Sequence, residues 1–340
     1  MAHAVARRAL VRSIQAGRTP AGDGLECGVT LLGSIARSKG PAADIVIPTY
    51  QNLAELRVCI DSLRRQDRSD FRVLVCVDGS TDGTAEFLTT VLTPFPLLTL
   101  THPDRANHGR AATRNLALAH LRAAVVIFLD SDMVPGPGLV EAHRSLVTRQ
   151  ACVSVGAIRY ANAAANDWAR YLATRGAQRA EGGAVLRPLD FVPANSAVRS
   201  VDLLAVGGFD ERLVGYGGED TELGLRLAAE RGIPFVFNAE ARAATVETKT
   251  MAEGLAQLDR YARSNLRTVR SRQPDGPAPY WLDRLESGRV PDRALRGLMN
   301  PISDAIARVV IRLAPWPLRR SAINYLVLRT VWHGYREGPR

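Results

Sequence analysis

The chain has 340 residues, 46% of them hydrophobic and 23% charged, which excludes an intrinsically disordered polymer and allows one large α/β domain with appendages or two small domains. Its formal charge is +10, carried almost wholly by Arg, because Lys occurs only at Lys39 and Lys249. From Ala256 to the C-terminus there are 16 Arg against 7 Asp plus Glu, so the excess lies in the last quarter, where it suits phosphates, acidic lipid or nucleic acid, or simply a solvated helical surface.

Residues 1–41 are rich in Ala, Gly and Arg, close on Gly40-Pro41, and read as a loosely packed extension with one helix over Ala4 to Ile14. Arg7, Arg8 and Arg12 are followed by no apolar run of the signal-peptide kind, and no stretch reaches the ~18 apolar residues of a membrane span. Cys27, Cys59, Cys76 and Cys152 are widely spaced with no Cys-x-x-Cys pair, and Cys59 and Cys76 sit in apolar periodic segments. A reduced, cytoplasmic protein without structural zinc is expected.

The pattern then sharpens. Asp44-Ile45-Val46-Ile47 is a short β-rich run stopped by Pro48, followed by helical spacing at Leu53, Leu56, Ile60 and Leu63 with Asn52 as a cap. Phe71 to Val77 is the next strand, ending in Asp78-Gly79-Ser80, with a helix from Thr84. Leu97 to Thr101 is a third strand, Gly109 to Leu121 a helix, and Val125 to Leu129 a fourth, fully buried strand. Strands alternating with helices at this spacing predict a parallel, doubly wound sheet, which binds ligands beyond the carboxyl ends of its strands. The loops that matter are therefore Pro48 to Asn52, Asp78 to Gly83 and Asp130 to Met133. Further on come a strand over Cys152 to Ile158, an Ala-rich helix, a strand over Phe191 to Val198, a helix over Thr221 to Glu230 and the strand Phe235 to Phe237. From Met251 the chain reads as helical, interrupted by a Pro-rich linker from Gln273 to Pro279.

Three segments carry chemistry. Asp130-Ser131-Asp132 places two carboxylates at the end of a buried strand, where unpaired charge costs several kcal/mol and calls for a cation. Oxygen ligands of this kind suit Mg²⁺ or Mn²⁺ shared with nucleotide phosphates; a solvated acidic turn is the plainer alternative. In Asp78-Gly79-Ser80-Thr81-Asp82-Gly83-Thr84, Asp78 at a strand tip can accept hydrogen bonds from a base or ribose, while Asp82 or Thr84 is explained equally by capping the next helix. Gly215-Tyr216-Gly217-Gly218-Glu219-Asp220 is a glycine-rich loop delivering Glu219 and Asp220 to a helix N-terminus, where a carboxylate stays ionised; glycines such as Gly217 and Gly218 let backbone approach a ligand.

In this order the segments resemble the nucleotide-sugar domain, of GT-A fold, of inverting glycosyltransferases of family 2. The resemblance runs from Asp44 to about Val246. It rests on Ile45 to Tyr50 as opening strand and base-contacting loop, Val77 to Thr84 as uridine-binding turn, Asn107-His108-Gly109-Arg110-Ala111-Ala112-Thr113-Arg114-Asn115 as the helix start after strand three, Phe128 to Asp132 as metal-binding strand, and Gly217 to Asp220 as the acceptor-side Gly-Gly-Glu-Asp segment shared with polymer-forming and galactosyl-type relatives. It implies a doubly wound, mostly parallel α/β domain over residues 42–250 with a mainly helical extension over 251–340. It also implies Asp220 as catalytic base with Glu219 beside it, and a nucleotide-diphosphate donor, UDP-sugar foremost. The donor contacts implied are Pro48, Tyr50, Asn52, Asp78, Gly109, Arg110, Arg114, Asp130, Ser131, Gly217 and Gly218, and Mn²⁺ or Mg²⁺ would sit on Asp130 and Asp132. Asn195, in Pro193-Ala194-Asn195-Ser196, is the candidate sugar contact. One departure stands out: relatives place a metal-binding His some twenty to thirty residues after the Glu-Asp pair, whereas no His lies between His143 and His333 here. Either Glu247 substitutes as a ligand, or the metal is held by Asp132, diphosphate and water alone.

Ile306 to His333 alternates Arg308, Arg312, Arg319, Arg320 and Arg329 with Val, Ile, Leu and Trp. Such a stretch can lie peripherally on the inner face of an anionic membrane, or pack its apolar face on the catalytic domain. It lacks interleaved aromatics for base stacking, so nucleic acid is not expected. Two other classes fit less well. A degenerate, non-catalytic binder of nucleotide sugars or anions would not need Asp130, Asp132 and Asp220, and a sugar nucleotidyltransferase would carry a Gly-rich basic loop where Pro48 to Asn52 stands.

Overall fold

The computed structural model describes residues 40–272, 279–287 and 289–338. The expected N-terminal helix, Cys27 and most of the Pro-rich linker lie outside these residues.

Strand β1 (Ala43–Thr49), β2 (Phe71–Val77) and β4 (Val125–Leu129) are almost wholly buried, as uninterrupted apolar runs require when helices cover both faces of a sheet. Alternate residues of each strand enter different cores. Ile45, Ile47, Val73, Val75, Ile127 and Leu129 pack with Leu56, Cys59, Ile60 and Leu63 of helix α1 (Leu53–Leu63). Val46, Leu74, Val126 and Phe128 face the opposite layer, where Leu203 of α6 (Ser200–Ala205) and Leu223 and Leu227 of α7 (Glu219–Arg231) close over them.

With β3 (Leu97–Thr101), these strands form a parallel half in the order β3-β2-β1-β4. The chain winds outward from β1 through β2 to β3, then returns to β4 on the other side of β1. That reversal is the switch point at which ligands bind in such sheets. Beyond β4 the sheet is mixed. Strand β8 (Asn195–Arg199) runs antiparallel to both β4 and β6 (Val153–Tyr160), β6 pairs in parallel with β9 (Phe235–Thr245), and the short β5 (Val134–Pro135) and β7 (Val185–Leu186) lie antiparallel on β9. The α/β, doubly wound expectation therefore holds, with the parallel pairing concentrated in the first half.

Local boundaries differ in instructive places. The helix expected from Gly109 to Leu121 is α3 (Arg110–Asn115) followed by a 3₁₀ turn at Leu118–His120. The strand expected from Phe191 begins only at Asn195, because Pro193 supplies no ladder N–H. Between α1 and α6 the chain also forms α2 (Thr84–Thr90), α4 (Leu139–Gln150) and α5 (Asp167–Leu172).

The C-terminal part is helical: α8 (Met251–Arg263), α9 (Asn265–Arg272), α10 (Leu282–Glu286), α11 (Val290–Gly297), α12 (Pro301–Leu313) and α13 (Trp316–Glu337). Thr250 and Glu253 form a reciprocal capping box that starts α8. Trp168 and Tyr171 of α5 share a core with Leu255, Ile323 and Leu326, and a Cβ on Gly254 would fall 2.2 Å from the Trp168 ring. The helices are thus fastened to the sheet domain, and residues 41–340 form one compact unit. Among the described residues no helix is long and apolar enough to cross a membrane, and Cys59, Cys76 and Cys152 are buried free thiols.

Candidate active site

The loops at the carboxyl ends of β1, β2 and β4 meet as the topology requires, and short polar side chains tie them together. Gln51 donates from its backbone N–H to Ser80 Oγ (3.0 Å) and from its amide to Thr81 Oγ1 (2.8 Å), and its carbonyl oxygen accepts from Thr81 N–H. Asn52 Nδ2 donates to Ser131 Oγ at 2.9 Å, joining the first loop to the third. Asp82 accepts from Leu53 N–H (2.8 Å) and from Thr84 N–H and Oγ1, so it caps two helices at once and is structural. Pro48 and Tyr50 stand at the mouth of this wall, Tyr50 with half its surface open.

Asp78 is nearly closed off, and its two oxygens accept from His108 N–H (2.7 Å) and Gly109 N–H (3.0 Å). It therefore folds the 104–109 loop back over the strand ends. Gly79 permits this: its φ is +72°, and a Cβ there would sit 2.7 Å from the Ala106 backbone.

At the end of β4, Asp130 accepts from Arg114 Nη2 at 2.8 Å, and Arg114 Nη1 reaches Glu219 at the start of α7, at 3.3 Å. Arg114 is 2% exposed and lies over the Phe209 ring. The sequence marks it as a donor contact; in the fold its guanidinium is buried and neutralised by both carboxylates, a link that draws the β4 carboxylates and the α7 start to one cleft. Arg110 is placed differently. It is exposed, stacks over Tyr216 at 5.6 Å, and makes no ion pair among the described residues. Burial works against its charge, but Asp130, Glu219, Tyr216 and Asp220 outweigh that and raise its pKa. This cation faces the cleft.

Asp132 is open to solvent at its edge yet enclosed by the cleft walls. Burial, then the neighbouring Asp130 charge, push its carboxyl up to about 6. Asp132, raised by burial and by the adjacent Asp130 charge, is a fit place for a divalent cation completed by phosphate oxygens and water. The third ligand expected from the sequence is not assembled. Glu247 accepts from the backbone N–H and the ammonium of Lys249 (2.9 and 3.2 Å), and its own backbone is clamped by Asn162. Among the described residues no group of three or more His, Cys, Asp or Glu is placed to hold a metal.

Asp220 occupies the first turn of α7, accepting from Thr221 N–H at 2.7 Å. Burial first and Glu219 second hold its carboxyl above the usual range. The helix N-terminus does not keep it as acidic as the sequence suggests, because desolvation outweighs the backbone donor. The glycine loop before it also differs from expectation. Gly218 (φ +97°) brings backbone against the chain's own C-terminal helices, where a Cβ would meet Tyr261 at 3.0 Å and Asn265 at 3.1 Å. Gly217 likewise faces Tyr261 and accepts from Asn265 Nδ2. These glycines seat α7 rather than admit a ligand.

Asn195, the candidate sugar contact, is completely buried. Its amide donates to the carbonyls of Ala157 and Ala241 and accepts from His143, filling the bulge where β6 and β9 shift register after Gly156. It is a core plug. Burial pushes His143 down to about 4, so this network is neutral.

Sequence reading missed the tyrosines near the cleft carboxylates. Tyr160, Tyr216, Tyr261 and Tyr280 all have pKa values raised by burial first, with contributions from Asp220, Asp132 or Glu247 marking their proximity to the carboxylates. Tyr216 lies inside a recognised segment; Tyr261 and Tyr280 come from the helical part, where nothing in the local pattern flags them. A cleft of about 400 Å³ elsewhere, among α8, α12 and α13, is lined by residues such as Asp259, Arg263 and His333 and contains none of the groups above.

Residues 44–205 match the family model described as glycosyl transferase family 2, and residues 125–337, over half of the chain, match that of glycosyl transferase family group 2. The validoxylamine A glucosyltransferase of Streptomyces hygroscopicus subsp. jinggangensis is 29% identical over 61% of this chain and 56% of its own. The pre-mycofactocin glycosyltransferase of Mycobacterium tuberculosis is 32% identical over 69% of this chain and 49% of its own. The chain thus spans about half the length of these relatives. Among solved structures, a mannosyltransferase from Pyrobaculum calidifontis in complex with GDP-Man and Mn²⁺ superposes with a TM-score of 0.56 at 17% identity, covering 97% of this chain and 96% of that one. S. aureus TarS residues 1–349 with UDP-GlcNAc gives 0.51 at 16% identity, over 87% and 91%. At such identities the likeness shows the fold, of GT-A type, while the family matches carry the assignment: the chain belongs to glycosyltransferase family 2.

Proposed function

We propose that this chain transfers a sugar from a nucleotide-diphosphate donor, UDP-sugar foremost, to an acceptor hydroxyl by a single inverting displacement. The observation that carries this reading is the Asp130–Arg114–Glu219 link, which holds the carboxylates at the end of β4 and the Glu219-Asp220 helix start against one cleft. Asp220 takes the proton of the acceptor hydroxyl as its oxygen attacks the anomeric carbon, and the bond to the diphosphate oxygen breaks on the opposite side. Arg110, facing the same cleft, attracts the negative charge that develops on the leaving diphosphate. Asp132, with Asp130 beside it, would hold Mn²⁺ or Mg²⁺, whose chemistry is to neutralise that diphosphate. Asn52, Asp78 and Gly109 act by keeping the donor loops in register, and Pro48 and Tyr50 are left to meet the base.

A thermal-shift panel tests the donor side. UDP, GDP and their sugars are added with Mn²⁺, Mg²⁺ or chelator; GDP belongs in the panel because the archaeal neighbour holds GDP-Man. A ligand at about 100 times its Kd stabilises by about 2.7 kcal/mol. A metal-dependent shift with a uridine nucleotide, lost in Asp132→Ala, is expected. A shift with no nucleotide under any metal would overturn the reading.

A further inference from the structure

The C-terminal helices carry a surface that sugar transfer does not use. On one side of α12, Ala307 and Ile311 turn inward to share a core with Trp168, Leu255 and Ile323. On the other, Ile302, Ile306, Val309 and Leu313 recur at steps of four, three and four residues, which places them in one stripe. They are 73%, 59%, 54% and 81% exposed. Leu298 and Leu318, just before and after the helix, are exposed as well. Single exposed apolar residues are ordinary, but a stripe of four on one helix face marks a contact surface. The expectation that this segment packs its apolar face on the catalytic domain thus holds for Ala307, Ile311, Ile323 and Leu326, while the stripe on α12 is left over.

The neighbouring charges say what the stripe fits. At about 100° per residue, Arg312 borders the stripe, about 60° from Val309, while Arg308 lies further round and lines the cleft among α8, α12 and α13. Both are exposed, and neither makes an ion pair among the described residues. Other arginines of the region are committed: Arg263 to Asp259 and Glu337, Arg319 to Asp167, Arg329 to Asp304. We propose that this face of α12 seats on an anionic lipid surface, with the four aliphatic side chains entering the acyl boundary and Arg312 at its border meeting headgroup phosphates. Arginine stems lie readily along apolar surface while the guanidinium stays with the phosphates.

The test uses the full chain and vesicles of phosphatidylglycerol with phosphatidylcholine, or of phosphatidylcholine alone, in a sedimentation assay. Binding to the anionic vesicles is expected. It should weaken by about tenfold or more without the anionic lipid and by about fivefold in Arg312→Gln. It should weaken by about tenfold or more in Ile306→Glu/Val309→Glu as well. Leu92, 86% exposed in the β2–β3 connection, provides the control: Leu92→Glu should bind as the parent does. All these side chains are at the surface, so the melting temperature should not move. No sedimentation with anionic vesicles, or equal sedimentation of Ile306→Glu/Val309→Glu, overturns the proposal. So does a lipid-free dimer, seen by light scattering, that this variant dissociates. Vesicle binding is read without turnover, so its failure would leave the sugar-transfer reading standing.

Discussion

The two walls of the cleft are built by different means. The donor wall is laced by polar side chains a residue or two from the strand ends: Gln51 to Ser80 and Thr81, Asn52 to Ser131, Asp82 to Leu53, Asp78 to the 108–109 backbone. The opposite wall, which carries Glu219 and Asp220, is laced further off, Asn115 bonding Phe209 and Glu211 and Arg226 bonding the Val206 and Gly208 carbonyls. The start of α7 is held from afar, by Arg114 on one side and by Tyr261 and Asn265 of the C-terminal helices on the other. The same catalytic requirement, a carboxylate at a fixed place, is met by local hydrogen bonds on one wall and by long-range packing on the other. Substitutions that look remote should therefore disturb the opposite wall more than the donor wall.

Removing Arg114 should do most. Arg114→Ala leaves Glu219 buried without its ion-pair partner, and breaking such pairs costs about 3–5 kcal/mol, readable by urea denaturation. A loss below about 1 kcal/mol would mean the link does not hold the walls together. Gly218→Ala comes next, because a left-handed conformation costs a side chain about 1–2 kcal/mol and the added Cβ presses on Tyr261 and Asn265. Asn195→Ala should cost about 1–3 kcal/mol by orphaning two carbonyls and His143, with donor affinity unchanged; a fall in donor affinity at unchanged stability would restore it as a sugar contact. Glu247→Ala should do least, within about 1 kcal/mol, since it gives up a partly exposed pair with Lys249. Its metal dependence should match the parent's, and a weakened metal requirement would mean that this carboxylate does reach the ion.

The same contrast governs what the sequence could disclose. Strands β1, β2 and β4 are legible because buried parallel strands must be apolar throughout, and the loops after them follow from topology. Asp130, Asp132, Asp220 and Arg110 could be picked out because charge at such positions has few other uses. Arg114 lies one helical turn from Arg110 in the same motif, and only the fold shows that one faces the cleft and the other a pair of carboxylates. Asn195 in its polar tetrapeptide gave no hint of filling a three-residue bulge formed forty residues later in β9. On α12, periodicity alone does not say which face turns inward; that depends on Trp168 and Tyr171, far away in the chain.

The proton-taking role of Asp220 is the central claim, and pH constrains it. Burial and Glu219 raise the Asp220 carboxyl, and Asp132 is pushed up to about 6. A base works in its ionised form, so the rate should fall as pH drops through this raised range rather than near 4, where an exposed carboxylate titrates. Stability should move the other way: both groups hold their protons more tightly in the fold than in the unfolded chain, so acidification through the same window favours the fold. The most direct measurement is kcat together with donor affinity for Asp220→Asn. The account predicts kcat lower by about 10²–10⁴-fold with donor affinity retained. A kcat within a few fold of the parent's, with the protein folded and donor bound, would contradict it.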